Sequence, residues 1–342
     1  MEAGKGTARR PFDEVLAEAE ALARRTEAMQ RPGPAGIPLR PLGKTGEWVT
    51  MIGVGGWDSV VEKTDAEAVA LLREAFDLGI TFWDNAWEYH EGRAEAVMGR
   101  ALVEGALRDD VFLMTKVCAR DAVGFRRQLD DCLRRLRTDQ IDLVQLHSIQ
   151  YPGDRERYFD PATGAMEAAL EALEAGKFRY LGFSGHMDPG DHQTMLDASY
   201  EWATVQMPIN LVDAHKSGFQ HRILRQCVDR QIGPLGMKSL GGNQGRFPAA
   251  LGIDGWTLRR YAMSMPVSSL ICGMQTREEL LGAVRLAQNF APLQGEELRT
   301  ILSLTRQVED NGQIEEFKVR GGAFGCSYHG PLLASSPDSF PL

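Results

Sequence analysis

The segment Met51-Ile52-Gly53-Val54-Gly55-Gly56-Trp57-Asp58 decides between two α/β folds. A doubly wound parallel sheet would carry a Gly-x-Gly-x-x-Gly turn directly after its first strand. Here Asp58 stands where that pattern needs its third glycine. This departure favours a closed barrel over the doubly wound sheet.

From this segment onward, short apolar runs alternate with helical patterns along the chain. The runs lack polar alternation, as strands buried on both faces do. In the segment 64–78 the helical pattern begins with a Thr64–Glu67 capping box. Eight strands, each followed by a helix, predict a (β/α)8 TIM barrel. The runs are Met51–Val54, Ile80–Trp83, Val111–Val117, Leu143–Leu146, Tyr180–Phe183, Thr204–Met207, Pro234–Met237 and Ser269–Ile271.

Both ends of the chain carry segments outside this repeat. Residues 1–37 are predicted to form an N-terminal helix and a Pro/Gly linker, and residues 39–50 a hairpin with a turn at 43–46. The expected organisation is therefore an N-terminal segment at 1–37, the barrel at 38–310 and a C-terminal tail at 311–342.

Composition excludes several classes of protein. The 342 residues carry a formal net charge of −9 without a basic block, which argues against a nucleic-acid partner. No apolar run approaches the ~20 residues of a membrane span. The five cysteines are scattered without metal-type spacing, so we expect a cytoplasmic protein with no metal site. The oligomeric state stays open.

Three successive strands end in polar residues that suit proton transfer. Asp84, Lys116 and His147 end these strands, and Tyr89 lies five residues after Asp84. A buried lysine needs a counterion, which Asp84 can supply. The adjacent cation would lower the pKa of a Tyr89 phenol, and a phenol can exchange a proton with a carbonyl oxygen. Each residue alone also fits a structural ion pair, a core histidine or a loop tyrosine.

Six motifs together resemble the aldo-keto reductase superfamily, over about residues 38–325. Within it, the last motif resembles a bacterial branch with Met-Lys-x-Leu-Gly-Gly after the seventh strand. The motifs are Asp84-Asn85-Ala86-Trp87-Glu88-Tyr89, Phe112-Leu113-Met114-Thr115-Lys116, Ile141-Asp142-Leu143-Val144-Gln145-Leu146-His147, Gly182-Phe183-Ser184-Gly185-His186, Val205-Gln206-Met207 and Met237-Lys238-Ser239-Leu240-Gly241-Gly242.

The resemblance implies a nicotinamide cofactor, NADP with NAD as the alternative. It also implies a catalytic tetrad of Asp84, Tyr89, Lys116 and His147. Tyr89 would be the general acid and base, and His147 would position the carbonyl. Cofactor contacts would come from Ser184, Gln206, Met237, Lys238, Leu240, Gly241, Gly242, Gly273, Met274, Gln275 and Arg277.

Some positions depart from better-known branches of the superfamily. Gly185 replaces an asparagine, Met237 a stacking tyrosine and Gly273 a lysine expected near the 2′-phosphate. Glu279 replaces an arginine, and Thr276–Glu279 is also a capping box, so we interpret Glu279 as a cap. Trp57 and Trp87 fall in loops at the catalytic end and are expected to line a substrate pocket.

The predicted function is NAD(P)-dependent interconversion of an aldehyde or ketone and its alcohol. The alternative is a cofactor-sensing or regulatory subunit on the same barrel. A third reading, a Schiff-base lyase using Lys116, leaves Tyr89 and His147 unexplained. The small-molecule substrate is not identified by the sequence.

Overall fold

The eight apolar runs form a closed parallel barrel in the computed structural model, which describes residues 9–216, 218–242, 245–308 and 314–319. The barrel strands are β3 (Ile52–Gly55), β4 (Phe82–Asp84), β5 (Phe112–Val117), β6 (Ile141–Leu146), β7 (Phe178–Ser184), β8 (Thr204–Pro208), β9 (Gly233–Met237) and β10 (Ser269–Cys272). They follow one another in chain order around the barrel. The predicted (β/α)8 fold is confirmed.

Closure of the barrel comes from pairing of its first and last strands. Leu270 of β10 is in register with Ile52 of β3, and Ser269 with Leu235 of β9. All strands therefore deliver their carboxyl ends to one face, which we call the mouth.

Helices surround the barrel, and two of them begin with a capping box. The predicted capping box of Thr64 and Glu67 opens α3, and a second box at Thr276 opens α12. The helices are α1 (Phe12–Ala28), α2 (Gly56–Ser59), α3 (Asp65–Asp77), α4 (Arg93–Gly105), α5 (Ala122–Leu136), α6 (Asp154–Tyr158), α7 (Ala165–Glu174), α8 (Pro189–Leu196), α9 (Arg225–Asp229), α10 (Arg246–Leu251), α11 (Gly255–Ser264), α12 (Arg277–Gln288) and α13 (Gly295–Thr305).

The predicted hairpin closes the end of the barrel opposite the mouth. Strands β1 (Leu39–Pro41) and β2 (Trp48–Thr50) pair antiparallel. Leu42 and Val49 are fully buried against apolar side chains inside the barrel, among them Phe82 and Leu143. The hairpin thus serves as a plug that shields the barrel interior from water.

The N-terminal helix is part of the main core. Val15, Leu16 and Ala19 of α1 are buried in the same hydrophobic cluster as the barrel helices.

Within the described part of the chain, no helix combines the length and apolar character that a membrane crossing requires.

The structure adds elements that the sequence pattern did not predict. Helices α2, α6 and α10 are too short to show a full period, and α13 lies before the predicted tail. Helix α9 is preceded directly by a π-helical segment, Gln220–Leu224. Most of the tail, 311–342, lies outside the described residues. Its described part packs at the mouth, where the Phe317 carbonyl oxygen lies 2.6 Å from Nδ1 of His186.

Candidate active site

A buried ion pair forms the floor of the mouth. Lys116 of β5 is 1% exposed, and Asp84 at the end of β4 is 3% exposed. The Lys116 ammonium donates to a carboxylate oxygen of Asp84 and, at 2.7 Å, to the carbonyl oxygen of Asn85. Asp84 and Lys116 are therefore neighbours, as their positions at successive strand ends predict. Their charges compensate each other inside a region that water scarcely reaches.

Tyr89 lies directly above this pair. It begins a tight turn, Tyr89–Gly92, in which His90 and Glu91 adopt left-handed backbone angles with φ of 50° and 58°. The Tyr89 hydroxyl is 3.4 Å from the Lys116 ammonium nitrogen. The turn thus folds the chain back so that the phenol stays over the strand ends.

The expected lowering of the Tyr89 pKa is wrong. Burial raises that pKa well above its usual value of 10.0, and the negative charges of Asp84 and Glu88 add to the rise. Asp84 offsets the field of Lys116 because it is bonded to the same ammonium group. The phenol is therefore held protonated at neutral pH.

His147 follows β6 and faces Tyr89. The two rings are 5.7 Å apart between centroids at an interplanar angle of 75°. Nδ1 of His147 lies 3.1 Å from a Glu88 carboxylate oxygen and 3.4 Å from the Cys118 sulfur. Burial lowers the pKa of His147, while Glu88 opposes the shift. These contacts orient the ring, so that Nδ1 faces Glu88 and Cys118.

Gln206 and Ser184 extend the site along the mouth. The side-chain amide of Gln206 donates to the second carboxylate oxygen of Asp84 at 3.1 Å. Its buried Oε1 has no hydrogen-bond partner among the described residues. The Ser184 hydroxyl oxygen accepts a hydrogen bond from the Ser148 amide at 3.3 Å. A buried acceptor without a donor is costly, so the position suits a bound amide.

The loop after β9 has a backbone built for close approach. Gly241 and Gly242 have φ of 88° and 84°, values that glycine adopts without a Cβ penalty. A Cβ on Gly241 would collide with the Phe247 ring. Met237 ends β9, and Lys238 follows with φ of 56°. Burial lowers the pKa of Lys238 to about 8. Leu240, two residues further along the chain, is partly buried.

Asp58 fills the space that a side chain at Gly273 would need. A Cβ on Gly273 would collide with the Asp58 carboxylate. Gln275 donates to that carboxylate at 3.2 Å, and burial raises the pKa of Asp58. Met274 between them is buried. A lysine at position 273 would therefore require Asp58 to move.

The start of α12 supports the cap interpretation of Glu279. Its carboxylate accepts from the backbone amides of Gln275 and Thr276 at 2.7 and 3.2 Å, and Thr276 accepts from the Glu279 amide. Arg277 is exposed and paired with Glu74 of α3 at 2.7 Å. An anion at this end of the site would have to compete with Glu74 for Arg277.

The two tryptophans predicted to line a substrate pocket lie differently. Trp57 contacts Tyr89 edge-to-face with ring centroids 5.3 Å apart. The structure does not bring Trp87 to Tyr89 in the same way. The Trp87 indole nitrogen instead donates to Asp131 of α5 at 3.2 Å. The Arg135 guanidinium of α5 also lies 5.6 Å from the Trp87 ring centroid.

A family model described as the Aldo/keto reductase family matches residues 51–248, from β3 into α10. This match covers more than half of the chain and includes the strand ends that carry the buried pair, Tyr89 and His147. The chain belongs to the aldo/keto reductase family.

Individual relatives match over part of their length. L-galactose dehydrogenase of Arabidopsis thaliana is 33% identical over 164 residues, 44% of this chain and 49% of that protein. Methylglyoxal reductase YeaE of Escherichia coli is 34% identical over 190 residues, 53% of this chain and 61% of that protein. The chain thus spans about half to three fifths of these relatives.

A solved structure of an aldo/keto reductase from Klebsiella pneumoniae, in complex with NADP and acetate, resembles this chain in fold. It superposes with a TM-score of 0.63 at 25% identity, covering 77% of this chain and 94% of that one.

Three residues of this aldo/keto reductase site were missed by sequence reasoning. Glu88 and Cys118 contact His147, and Asp58 faces Gly273. Glu88 and Cys118 each lie within two residues of a predicted tetrad member, which is a signal that could have drawn attention to them. Asp58 lies in the four-residue helix α2, which shows no periodicity.

Proposed function

We propose that the protein is an NAD(P)H-dependent oxidoreductase that interconverts an aldehyde or ketone and the corresponding alcohol. The observation that carries the proposal is the Lys116 ammonium, held by Asp84, at 3.4 Å from the Tyr89 hydroxyl. A protonated phenol beside an anchored cation is suited to give its proton to a carbonyl oxygen.

In reduction, Tyr89 donates its proton to the substrate oxygen, and the phenolate that forms is stabilised by Lys116. In oxidation, the same oxygen accepts the alcohol proton. His147, whose ring meets Tyr89 edge-to-face with centroids 5.7 Å apart, would position the substrate oxygen. The nicotinamide cofactor would supply or accept the hydride when bound.

The chain's own residues fit a nicotinamide cofactor. The buried Oε1 of Gln206, which has no partner among the described residues, can accept a hydrogen bond from the amide group of a nicotinamide carboxamide. Ser184 is in register with Gln206 on the neighbouring strand and offers a second polar contact. The positive-φ glycines Gly241 and Gly242 suit a closely approaching pyrophosphate. Further contacts are assigned to Met237, Lys238, Leu240, Gly273, Met274, Gln275 and Arg277.

NADP is the proposed cofactor, as in the Klebsiella complex, and NAD is the alternative. The pairing of Arg277 with Glu74 and the Asp58 carboxylate beside Gly273 both weaken a 2′-phosphate site. The substrate is proposed to be a small carbonyl compound or alcohol, with Trp57 against Tyr89 as one wall of its pocket.

Replacement of Tyr89 by Phe tests the proposal. Turnover of a panel of aldehydes with NADPH and NADH is expected to fall about 10²–10⁴-fold, because the proton-transferring hydroxyl is lost. Cofactor affinity, measured by fluorescence titration with both reduced cofactors, is expected to stay nearly unchanged.

Tyr200→Phe is the matched control, because Tyr200 packs edge-to-face on Trp202, away from the mouth. It is expected to keep wild-type turnover. Wild-type rates in the Tyr89 variant would refute its assignment. Tight cofactor binding by the wild-type chain without turnover of any substrate would favour a cofactor-sensing subunit instead.

A further inference from the structure

Three potential metal ligands converge at the mouth from consecutive βα units. Glu88 follows β4, Cys118 follows β5 and His147 follows β6. One carboxylate oxygen, the sulfur and Nδ1 all lie within 4.8 Å of one another. We propose that these three residues bind a thiophilic divalent cation of the Zn²⁺ type.

The donor set matches the chemistry of such a cation. Thiolate, imidazole and carboxylate are the ligands that Zn²⁺ takes in proteins, and three protein ligands leave a fourth position open. The distances around His147, 3.1 Å to the Glu88 oxygen and 3.4 Å to the Cys118 sulfur, bring three donors close enough to share one ion. Hard cations such as Mg²⁺ and Ca²⁺ prefer oxygen ligands and are poor candidates.

Charge balance also permits a divalent cation here. With Cys118 deprotonated, the thiolate and the Glu88 carboxylate supply two negative charges against the two positive charges of the ion. The neighbouring Lys116 charge is already compensated by Asp84.

The cluster has one buried side and one side near water. Cys118 is fully buried, whereas the side chains of Glu88 and His147 keep 16% and 11% of their exposure. A cation can therefore enter past Glu88 and be held against the sulfur behind it. No short motif marks this cluster, because its three residues are about one βα unit apart in the chain.

Occupation of Nδ1 would determine which nitrogen of His147 carries the proton. A neutral imidazole that binds a cation through Nδ1 holds its proton on Nε2. Nε2 would then be a hydrogen-bond donor toward a substrate oxygen. This consequence rests on the proposed function, whereas the cation site itself does not.

Cobalt titration of the full chain tests the site. Metal-free protein is titrated with Co²⁺, because a thiolate ligand gives cobalt an intense near-ultraviolet charge-transfer band that zinc lacks. We expect one Co²⁺ per chain, the thiolate band, and its loss when Zn²⁺ is added. No band and no binding would overturn the proposal.

Cys118→Ser is expected to abolish the thiolate band. Cys227→Ser is the matched control, since Cys227 is equally buried but lies in α9. It should keep both the band and the stoichiometry. An unchanged cobalt spectrum in the Cys118 variant would show that the ion binds elsewhere.

Glu88→Gln gives a second test at a partly exposed position, where folding is less at risk. It should weaken Co²⁺ affinity by at least about tenfold while keeping the thiolate band at saturation. Unchanged affinity would remove Glu88 from the ligand set and overturn the three-residue site. Turnover without cation binding would refute only the metal site, and cation binding without turnover would refute only the reductase proposal.

Discussion

The two ends of the barrel each bury a cation, but they surround it differently. At the mouth, Lys116 contacts the Asp84 carboxylate and lies beside the Tyr89 hydroxyl. At the plugged end, the fully buried Arg40 donates to the backbone carbonyl oxygens of Met263 and Val267 at 2.8 and 3.0 Å.

The difference shows what turns a buried cation into a reactive group. Burial lowers the pKa of Arg40 to about 9, because carbonyl dipoles replace water without supplying a countercharge. Among the described residues no carboxylate forms an ion pair with Arg40, and its contacts tie the hairpin to the α11–β10 segment. Lys116 has both a countercharge and a titratable hydroxyl within reach. The first arrangement holds the fold together, and the second can take part in proton transfer.

Lys116→Met gives the largest expected effect in this comparison. Turnover should fall by about 10²–10⁴-fold, because the cation that stabilises the Tyr89 phenolate is lost. Asp84 would remain as a buried unpaired carboxylate, so the free energy of unfolding should fall by about 3–5 kcal/mol. Steady-state kinetics on protein shown to be folded by circular dichroism measures the first effect, and urea denaturation the second. Near-normal turnover in the folded variant would contradict the role of Lys116.

Arg40→Met should lower stability without lowering turnover. Two carbonyl oxygens lose their donor, so the free energy of unfolding is expected to fall by about 2–4 kcal/mol. Turnover per folded molecule is expected to stay at the wild-type level, since the guanidinium lies at the plugged end. A variant that unfolds normally but loses turnover would erase the distinction between the two ends.

Acid should lower the stability of the folded chain through the buried His192, whose Nε2 lies 3.3 Å from the carbonyl oxygen of Gln206. Burial lowers the pKa of His192 from 6.5 to about 4. The unfolded chain therefore binds a proton in this window that the folded chain does not, so stability is present above pH 6.5 and lost between pH 6.5 and 4. As the pH falls through this window, this one histidine lowers the free energy of unfolding by up to about 3 kcal/mol. His192→Gln should flatten the pH dependence of urea unfolding in that window, and an unchanged slope would contradict the prediction.

Thr276→Ala should give the smallest effect, at the rim of the mouth. The variant loses one half of the capping box of α12, which costs about 1 kcal/mol in the free energy of unfolding. Glu278→Ala serves as the control, because Glu278 lies in the same first turn but outside the box. Equal losses in the two variants would show that the box has no special contribution.

Most of the barrel was predictable because its physical signals are local. Uninterrupted apolar runs marked the strands, and capping residues marked α3 and α12. The meeting of Asp84 with Lys116 followed from strand order, since parallel strands bring their carboxyl ends together.

The remaining features depend on distances that no local pattern encodes. Loop side chains can turn either way, so the sequence did not show that Trp87 contacts α5 whereas Trp57 contacts Tyr89. The direction of the Tyr89 pKa shift depended first on how deeply the hydroxyl is buried and then on how closely Asp84 compensates Lys116. The convergence of Glu88 and Cys118 on His147 required three loops to be seen together.

The pairing of β3 with β10 has a consequence during synthesis. These strands come from opposite ends of the barrel sequence, so the ring cannot close until the last strand has left the ribosome. Until then β3 and β9 each present a row of unsatisfied backbone groups, which are templates for aggregation. Nascent chains that stop short of residue 269 should therefore be prime clients for chaperones.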